Sequence, residues 1–321
     1  MLELTHADPT MTRCYSGNMV KIGGDRFETN KLECANRAAA SLLDTKKPCA
    51  NNMGTAVQIG FKVEKWHPLV EVCHNLKESL SYYAVHKVFG SSLAGKVIQS
   101  YRPGFSRGDK AFFHGFNPDE AYNQNNQLEV FSKTFGQKKT EQYFASKKFL
   151  ARGHLAPDAD FLFGSWQLST YFFVNTAPQW QAINAGHWLA VENSVRKLAI
   201  NLGADLDVAT GTYGVLSLTD SKRKEHEVYL VDGKRLPVPL LMWKVVRNPR
   251  DSSCMAIVAT NDPFLGSPPK TICRDVCANY GWPELQSDLS KGYIYCCDFK
   301  DFKRTVNYAP DFNCKSILRF Q

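Results

Sequence analysis

The sequence predicts a mixed α/β fold of the α+β type, because strand-like and helix-like patterns both occur along its 321 residues. Residues 171–174 (YFFV) are aromatic and β-branched, as in a buried strand. From Ala185 the apolar residues instead recur at helical spacing, at Trp188, Val191, Val195 and Leu198. Asp232-Gly233 separates two apolar runs, residues 228–231 and 238–246, as in a β-hairpin.

Residues 1–80 are predicted to form a small accessory region, with strands at 56–63 and 69–73 and two disulfides to stabilise it. A second domain, residues 81–321, begins with a strand at 81–89. A helix is expected at 118–134, since Asn117-Pro118 is a start signal and Gly136 a stop signal. Further helical segments are expected at 140–148 and 160–170, and further strands at 149–155, 206–213 and 254–260.

The formal net charge of +8 and the pI of about 8.9 suit a polyanionic partner such as nucleic acid. Many secreted proteins are mildly basic, so charge alone is weak evidence. The charged run at 221–227 (SKRKEHE) fits a solvated hairpin or a basic rim. No apolar stretch approaches the ~20 residues that a membrane-spanning helix needs, so no membrane partner is expected.

The ten cysteines fall into two clusters of even number, which favours disulfides within each cluster and an extracellular location. One precedes the central stretch and the other follows it: Cys14, Cys34, Cys49 and Cys73, then Cys254, Cys273, Cys277, Cys296, Cys297 and Cys314. The alternative is a zinc site built from the second cluster, although its spacing is not the common C-x-x-C. The first residues lack the features of a secretory signal, so we expect a processed or recombinant form of a longer precursor.

Five polar side chains in the central stretch suit phosphodiester hydrolysis. A neutral His154 can accept a proton from water, and an asparagine oxygen can hold a hard cation. Arginine supplies positive charge where the transition state gains negative charge. Each residue also has a plain structural role open to it. Asn184 could cap a helix, Asn175 could form a turn, and Glu192 and Arg196 could be a surface ion pair one helical turn apart.

The joint pattern resembles the DNA/RNA non-specific endonuclease family, whose fold is the ββα-metal finger. The family signature is D-R-G-H, then N-x-x-P-Q, then N followed by a helical E and R. The matching residues are Arg152-Gly153-His154, Asn175 to Gln179, Asn184, Glu192 and Arg196. Ala151 stands where the family has Asp, and Ala-Arg-Gly-His resembles the crustacean branch, which includes duplex-preferring nucleases. The resemblance covers roughly residues 82–262.

This resemblance implies a ββα-metal nuclease core on a central, mostly antiparallel sheet, in residues 81–321 with a Cys-rich C-terminal extension. It implies a secreted endonuclease that leaves 5′-phosphate ends. His154 would be the general base, Asn184 the direct ligand of Mg²⁺, and Glu192 a ligand through water, with Mn²⁺ able to substitute. The phosphate would be bound by three arginines, Arg152, Arg196 and Arg102. Arg107 is the alternative candidate for the role of Arg102. Asn175 would fix the strand beside the metal.

The expected partner is nucleic acid, with duplex DNA foremost and RNA as a further substrate. Two other functions stay open at this stage. One is a secreted nucleic-acid-binding protein without activity, against which the joint presence of His154, Asn184 and Glu192 argues. The other is a disulfide-rich extracellular module that binds protein or glycan. The sequence leaves the strand preference, the disulfide connectivity and the oligomeric state open.

Overall fold

A nine-stranded sheet lies at the centre of the fold. The computed structural model describes residues 12–16, 19–22, 24–28, 39–98, 101–145 and 148–320. Its strands are β1 (Thr12–Ser16), β2 (Met19–Ile22), β3 (Asp25–Glu28), β4 (Ser41–Cys49), β5 (Gly54–Val63), β6 (Lys65–Asn75), β7 (Leu80–Phe89), β8 (Leu150–His154), β9 (Thr176–Trp180), β10 (Asp205–Val215), β11 (Ser217–Thr219), β12 (Glu225–Glu227), β13 (Tyr229–Val231), β14 (Arg235–Pro237), β15 (Pro239–Asn248), β16 (Ser253–Thr260), β17 (Ile294–Cys297) and β18 (Ser316–Ile317). The helices are α1 (Pro118–Ala121), α2 (Gln124–Phe135), α3 (Gln137–Tyr143), α4 (Gly164–Leu168), α5 (Gln181–Ile183), α6 (Leu189–Leu202) and α7 (Phe299–Thr305).

The central sheet has the order β17-β16-β15-β10-β7-β6-β5-β4, and β18 adds to β16. Every neighbouring pair in it is antiparallel except β16 with β18. The predicted α+β class with a mostly antiparallel sheet is therefore confirmed.

Each face of this sheet is covered by its own hydrophobic core. Met242 and Val246 of β15 pack on one side with Val191 and Val195 of α6. Trp243 of β15 points to the other side, as the alternation of a strand requires, and packs there with Phe302 of α7. The two cores bury both faces of the sheet at β10, β15 and β16, whereas β4 at the sheet edge is largely exposed or half-buried.

The N-terminal strands β4–β6 belong to this same sheet. The boundary predicted at residue 80 lies between β6 and β7, which pair from Glu71↔Val85 to Asn75↔Leu80. Strands β1–β3 form a separate three-stranded sheet. The side chains of Cys14 and Cys34 lie outside the described residues, so the expected pairing of these two cysteines does too.

Most predicted elements are present, one is divided and two are displaced. Asn117 and Gly136 lie at the start of α1 and the end of α2, as their capping chemistry predicts, but the single helix predicted at 118–134 is divided into α1 and α2, because Asn123 caps a second helix start. Residues 171–174 are not a strand: Phe172 makes one bridge to Ser106, and residues 173–175 form a 3₁₀ turn. The Asp232-Gly233 turn joins β13 to β14, whereas β15 pairs with β10 and β16.

Eight cysteines form four disulfides within the two predicted clusters. The pairs are Cys49–Cys73, Cys254–Cys314, Cys273–Cys297 and Cys277–Cys296. The zinc alternative would use Cys273, Cys277, Cys296 and Cys297; these are bonded to one another in two disulfides, so the zinc interpretation is wrong. In the described part of the chain, no helix is long and apolar enough to cross a membrane.

Reduction of these disulfides is expected to lower the melting temperature by roughly 10 °C or more. Each bond typically contributes ~2–4 kcal/mol, and ~1 kcal/mol shifts the melting temperature of a 150–250-residue domain by about 2–4 °C and that of a larger chain by less. Differential scanning calorimetry with and without reductant measures the shift. Mass spectrometry of the unreduced, denatured protein should find these eight cysteines without free thiols; free thiols together with bound zinc would contradict the assignment.

Candidate active site

A β-hairpin followed by a helix carries the residues of the sequence motif. Strands β8 and β9 pair antiparallel, with His154 opposite Thr176 and Arg152 opposite Pro178. The second strand is thus residues 176–180, after the predicted run at 171–174. A Cβ atom on Gly153 would lie 2.6 Å from Gln179 Oε1, so the motif needs glycine where Gln179 crosses beneath β8.

Two buried amide side chains hold this hairpin in place. Gln127 of α2 donates to Leu150 O and accepts from Leu150 N, both at 2.9 Å. Asn261 accepts from Trp180 N at 3.1 Å and donates to Pro178 O at 3.1 Å. Because the two strands are anchored separately, the geometry of the hairpin is fixed by the core.

His154 is half-buried between two aromatic rings. The rings of Phe105 and Tyr171 both lie 5.0 Å from the imidazole, centroid to centroid. Burial lowers the pKa of His154 to about 4, partly opposed by the nearby charge of Asp158. The imidazole is therefore neutral at pH 7, which is the state that a general base requires.

The tautomer of His154 follows from its neighbour Thr170. The Thr170 hydroxyl donates to Gln167 O at 2.8 Å, so toward His154 Nε2, 3.5 Å away, it can only accept. This weak contact favours a proton on Nε2 and leaves Nδ1 as the nitrogen able to accept one.

Asn175 is fully buried and its hydrogen bonds are with backbone. Its amide accepts from Ala156 N at 2.9 Å and donates to Ala156 O at 2.8 Å and to Thr170 O at 3.0 Å. It therefore links the segment after His154 to the turn before β9.

His154, Arg152, Arg102 and Asn184 line one open cleft of about 800 Å³. Asn184 has helical backbone angles and lies three residues after the start of α5, so it does not cap the helix as predicted. Its amide nitrogen faces Gln181 Oε1 at 3.4 Å, and its Oδ1 has no hydrogen-bond donor among the residues that the structure describes. An amide oxygen of this kind suits a hard divalent cation. Glu192, the second expected metal residue, is half-buried in the first turn of α6 and is not among the residues that line the cleft.

The two arginines of the cleft differ in their surroundings. Arg102 is 77% exposed, with Nε 4.0 Å from Asp158 Oδ2, and Arg107 is not among the lining residues. Arg152 donates to Asp119 Oδ1 at 2.5 Å. Its guanidinium carbon also lies 5.5–5.8 Å from the rings of Tyr122, Phe105 and Phe173.

Residues 51–302 match the family model of the DNA/RNA non-specific endonucleases. This chain belongs to that family. It is a nuclease, a hydrolase of a family that depends on divalent metal ions. The match begins in the turn before β5 and ends in α7, so it includes strands on both sides of the predicted boundary at residue 80.

Salivary proteins are among the relatives of this nuclease. It is 34% identical over 295 residues to a salivary endonuclease of Lutzomyia longipalpis, covering 88% of this chain and 69% of the relative. It is 27% identical over 310 residues to salivary protein Tsal2A of Glossina morsitans morsitans, covering 92% and 77%. These relatives give no support to the crustacean branch.

Among solved structures, the complex of EndoG with EndoGI is a distant likeness only. Its TM-score is 0.45 with 14% identity, and the match covers 78% of this chain and 85% of that one.

In the nuclease, Arg196 is turned away from the cleft. It is 7% exposed, and its guanidinium donates to Asp160 Oδ1 at 2.7 Å and Asn193 Oδ1 at 2.8 Å. His86 donates from Nε2 to Asp160 Oδ2 at 2.8 Å. Although burial opposes it, the His86 hydrogen bond and the Arg196 charge hold the pKa of Asp160 well below its usual range. Neither Arg196 nor Asn175 is among the lining residues.

The same buried cluster includes Lys244 of β15, which the sequence interpretation missed. It is 1% exposed, its ammonium donates to Thr210 Oγ1, and it lies 5.4 Å from the ring centroid of Trp188. Burial raises the pKa of Glu192 to about 7, although the positive charge of Lys244 opposes the shift. Such a carboxylate would be stabilised in its charged form by a cation. The apolar run around Lys244 gives no indication in the sequence that its ammonium group lies near Glu192. The side chain faces α6 because successive side chains of β15 point to opposite faces of the sheet.

Ala151, which stands where the family has aspartate, lies opposite Gln179 across the hairpin. Within the described residues, the amide nitrogen and oxygen of Gln179 are buried and have no protein hydrogen-bond partner. Successive side chains of a strand point to opposite faces, so Ala151 shares a face of β8 with Gly153, and Arg152 shares the other with His154. The replacement therefore affects the support beneath β8 and leaves the side chains of Arg152 and His154 in place.

Proposed function

We propose that this nuclease is an extracellular, Mg²⁺-dependent endonuclease of DNA and RNA that leaves 5′-phosphate ends. The observation that carries the proposal is the shared cleft, which brings His154, Arg152, Arg102 and Asn184 together from three separate segments. The disulfides and the salivary relatives support an extracellular location.

His154 acts on the attacking water. Its neutral imidazole takes the proton at Nδ1, while Thr170 holds the Nε2 side and the rings of Phe105 and Tyr171 restrict the imidazole plane. Tyr171 is itself fixed, because its hydroxyl donates to Asp158 Oδ2 at 2.8 Å. Asn175 keeps the backbone after His154 in register.

The cleft arginines bind the phosphate. Arg152 and Arg102 can both reach an anion in the cleft, and they stabilise the negative charge that develops on its oxygens. The sequence interpretation assigned Arg196 to the phosphate as well. Its buried bonds to Asp160 and Asn193 support another role, in which Arg196 holds α6 against the segment that follows His154.

Asn184 Oδ1 would hold Mg²⁺ directly, and Glu192 would hold it through water. The cation, when bound, supplies Lewis-acid stabilisation of the phosphate and the leaving oxygen. Asn184 orients its oxygen through the contact of its nitrogen with Gln181. Glu192 contributes the negative charge that a dication requires.

Cleavage of matched substrates tests this proposal. The purified protein is incubated with supercoiled plasmid and with single- and double-stranded oligonucleotides of DNA and RNA, with Mg²⁺, with Mn²⁺ and with chelator. We expect plasmid nicking and 5′-phosphate termini with either cation, no cleavage in chelator, and faster cleavage of duplex DNA than of RNA. Tight binding without any cleavage would instead identify a nucleic-acid-binding protein that has lost activity.

The pH dependence of cleavage is expected to have an acid limb well below pH 6.5. His154 acts when neutral, and its lowered pKa of about 4 keeps it neutral as the pH falls through the ordinary histidine range. The positive charge of Arg102 also lowers this pKa, and a bound cation would act in the same direction. The measurement is kcat/KM at saturating Mg²⁺ between pH 4 and 8.

Unfolding at acidic pH must be separated from this limb. His74 is buried and its pKa is also lowered to about 4, so the folded state disfavours its protonation. Its contribution to stability is complete above pH 6.5 and is lost as the pH falls from 6.5 toward 4. Circular dichroism over the same range shows where folding begins to fail. Glu192, whose pKa is raised to about 7, could also give an acid limb near this pH, but such a limb would move to lower pH as Mg²⁺ is raised. An acid limb near 6.5 in folded protein that does not move with Mg²⁺ would contradict the assignment of His154.

A further inference from the structure

An apolar surface lies beside the cleft. It consists of Val97, Ile98, Tyr101 and Phe163, and we call it the apolar rim. The residues are 49%, 91%, 58% and 52% exposed, respectively. Exposing four large apolar side chains together is unfavourable in water, and such patches commonly mark binding surfaces.

The apolar rim is held rigidly by the core. The Phe163 ring packs edge-on against Trp166 at 4.9 Å, and Trp166 lies 5.8 Å from Phe89 at the end of β7. Val97 N donates to Leu162 O at 2.8 Å, and Gln167 donates to Val97 O at 2.8 Å. Val97 and Phe163 are thus held in place before any partner binds, which lowers the entropic cost of binding.

The apolar rim is continuous with the cleft. Tyr101 directly precedes Arg102, which lines the cleft. Lys96, which precedes Val97, donates to Ala159 O at 3.0 Å. The neighbouring Asp158 carboxylate lies 4.0 Å from Arg102 Nε and accepts a hydrogen bond from the Tyr171 hydroxyl. The rim therefore lies next to the segment that carries Arg102, where a polyanion bound in the cleft could reach it.

We propose that the apolar rim stacks and packs against nucleobases of the strand that leaves the cleft. Resting on the proposed function, this inference identifies a sequence-tolerant base-binding surface for that same site. Arg102 and Lys96 supply positive charge for the phosphates, and Phe163 supplies a flat ring for a base. Every base has a π-face, so such a contact binds nucleic acid without reading its sequence.

Binding of oligonucleotides that contain 2-aminopurine tests this proposal. Kd is measured by fluorescence in chelator at fixed salt for the unaltered protein and for Phe163→Ala and Ile98→Ser. Met53→Ser is the matched control, since Met53 is 42% exposed but lies on the β4–β5 turn. Ile98 is almost fully exposed, so its replacement leaves folding intact.

We expect Phe163→Ala to weaken binding roughly 5- to 150-fold, the factor typical of one base stacked on one ring. Ile98→Ser should weaken it by a smaller factor.

Two further measurements distinguish base stacking from a change in charge or in the cleft itself. The slope of log Kd against log salt should be unchanged in both variants, because no charge is removed. Cleavage of a dinucleotide, which carries no base beyond the two that flank the scissile phosphate, should change less than cleavage of a longer strand. Kd values equal to that of Met53→Ser would overturn the proposal. So would a loss of binding to anionic vesicles, or of self-association, without a loss of oligonucleotide binding.

The same measurements distinguish a failure of the rim proposal from a failure of the proposed nuclease function. Binding that depends on Phe163 without any cleavage would support the rim and contradict the nuclease mechanism. Cleavage by the unaltered protein, together with normal oligonucleotide binding by the rim variants, would support the nuclease mechanism and contradict the role of the rim.

Discussion

His154→Ala is expected to lower kcat/KM for nucleic acid by about 10²–10⁴ while the protein folds normally. General-base catalysis typically contributes a factor of this size. In the proposed mechanism the neutral imidazole, which lies between the rings of Phe105 and Tyr171, accepts the proton of the attacking water, and the substitution removes this acceptor. Initial rates on a fluorescent duplex at saturating Mg²⁺ measure it.

A matched variant shows that the effect belongs to the site. His67 is exposed on β6 and is not among the residues that line the cleft. His67→Ala should retain full activity, and both variants should melt within a few degrees of the unaltered protein. A folded His154→Ala protein with near-native rates would refute the assignment of the base.

Asn184→Ala is expected to reduce cleavage by at least ~10²-fold and to raise the Mg²⁺ concentration needed for half-maximal rate. The substitution removes Oδ1 of Asn184. Among the described residues, this side-chain oxygen lines the cleft without accepting a hydrogen bond. Loss of a Lewis acid withdraws several kcal/mol of transition-state stabilisation. Isothermal titration of Mg²⁺ into the variant gives a readout that does not depend on catalysis.

Asn125→Ala is the control for this prediction. Asn125 lines the same cleft from the start of α2. Its removal should affect KM alone, through lost substrate contacts, and the Mg²⁺ dependence should stay the same. Undiminished Mg²⁺ affinity in Asn184→Ala would show that the cation is held elsewhere.

The order of the motif and the local periodicity could be read from the sequence. Gly153 marks the point where β8 needs space for Gln179, and the spacing of Val191, Val195 and Leu198 fixes the buried face of α6. Both are local properties, because a glycine and a 3.6-residue period act through near neighbours in the chain. The even number of cysteines in each cluster likewise predicted bonded pairs, although not their connectivity.

Tertiary structure decided what depends on distant partners. Residues 173–175 turn instead of extending, because Asn175 satisfies the backbone of Ala156 from a position that no local pattern shows. Arg196 lies one turn from Glu192 as predicted, but Asp160, 36 residues away, draws its guanidinium into the core. A charged side chain is buried only where an ion pair offsets the cost of its desolvation, and the packing of the whole chain determines which partner is close enough to form that pair.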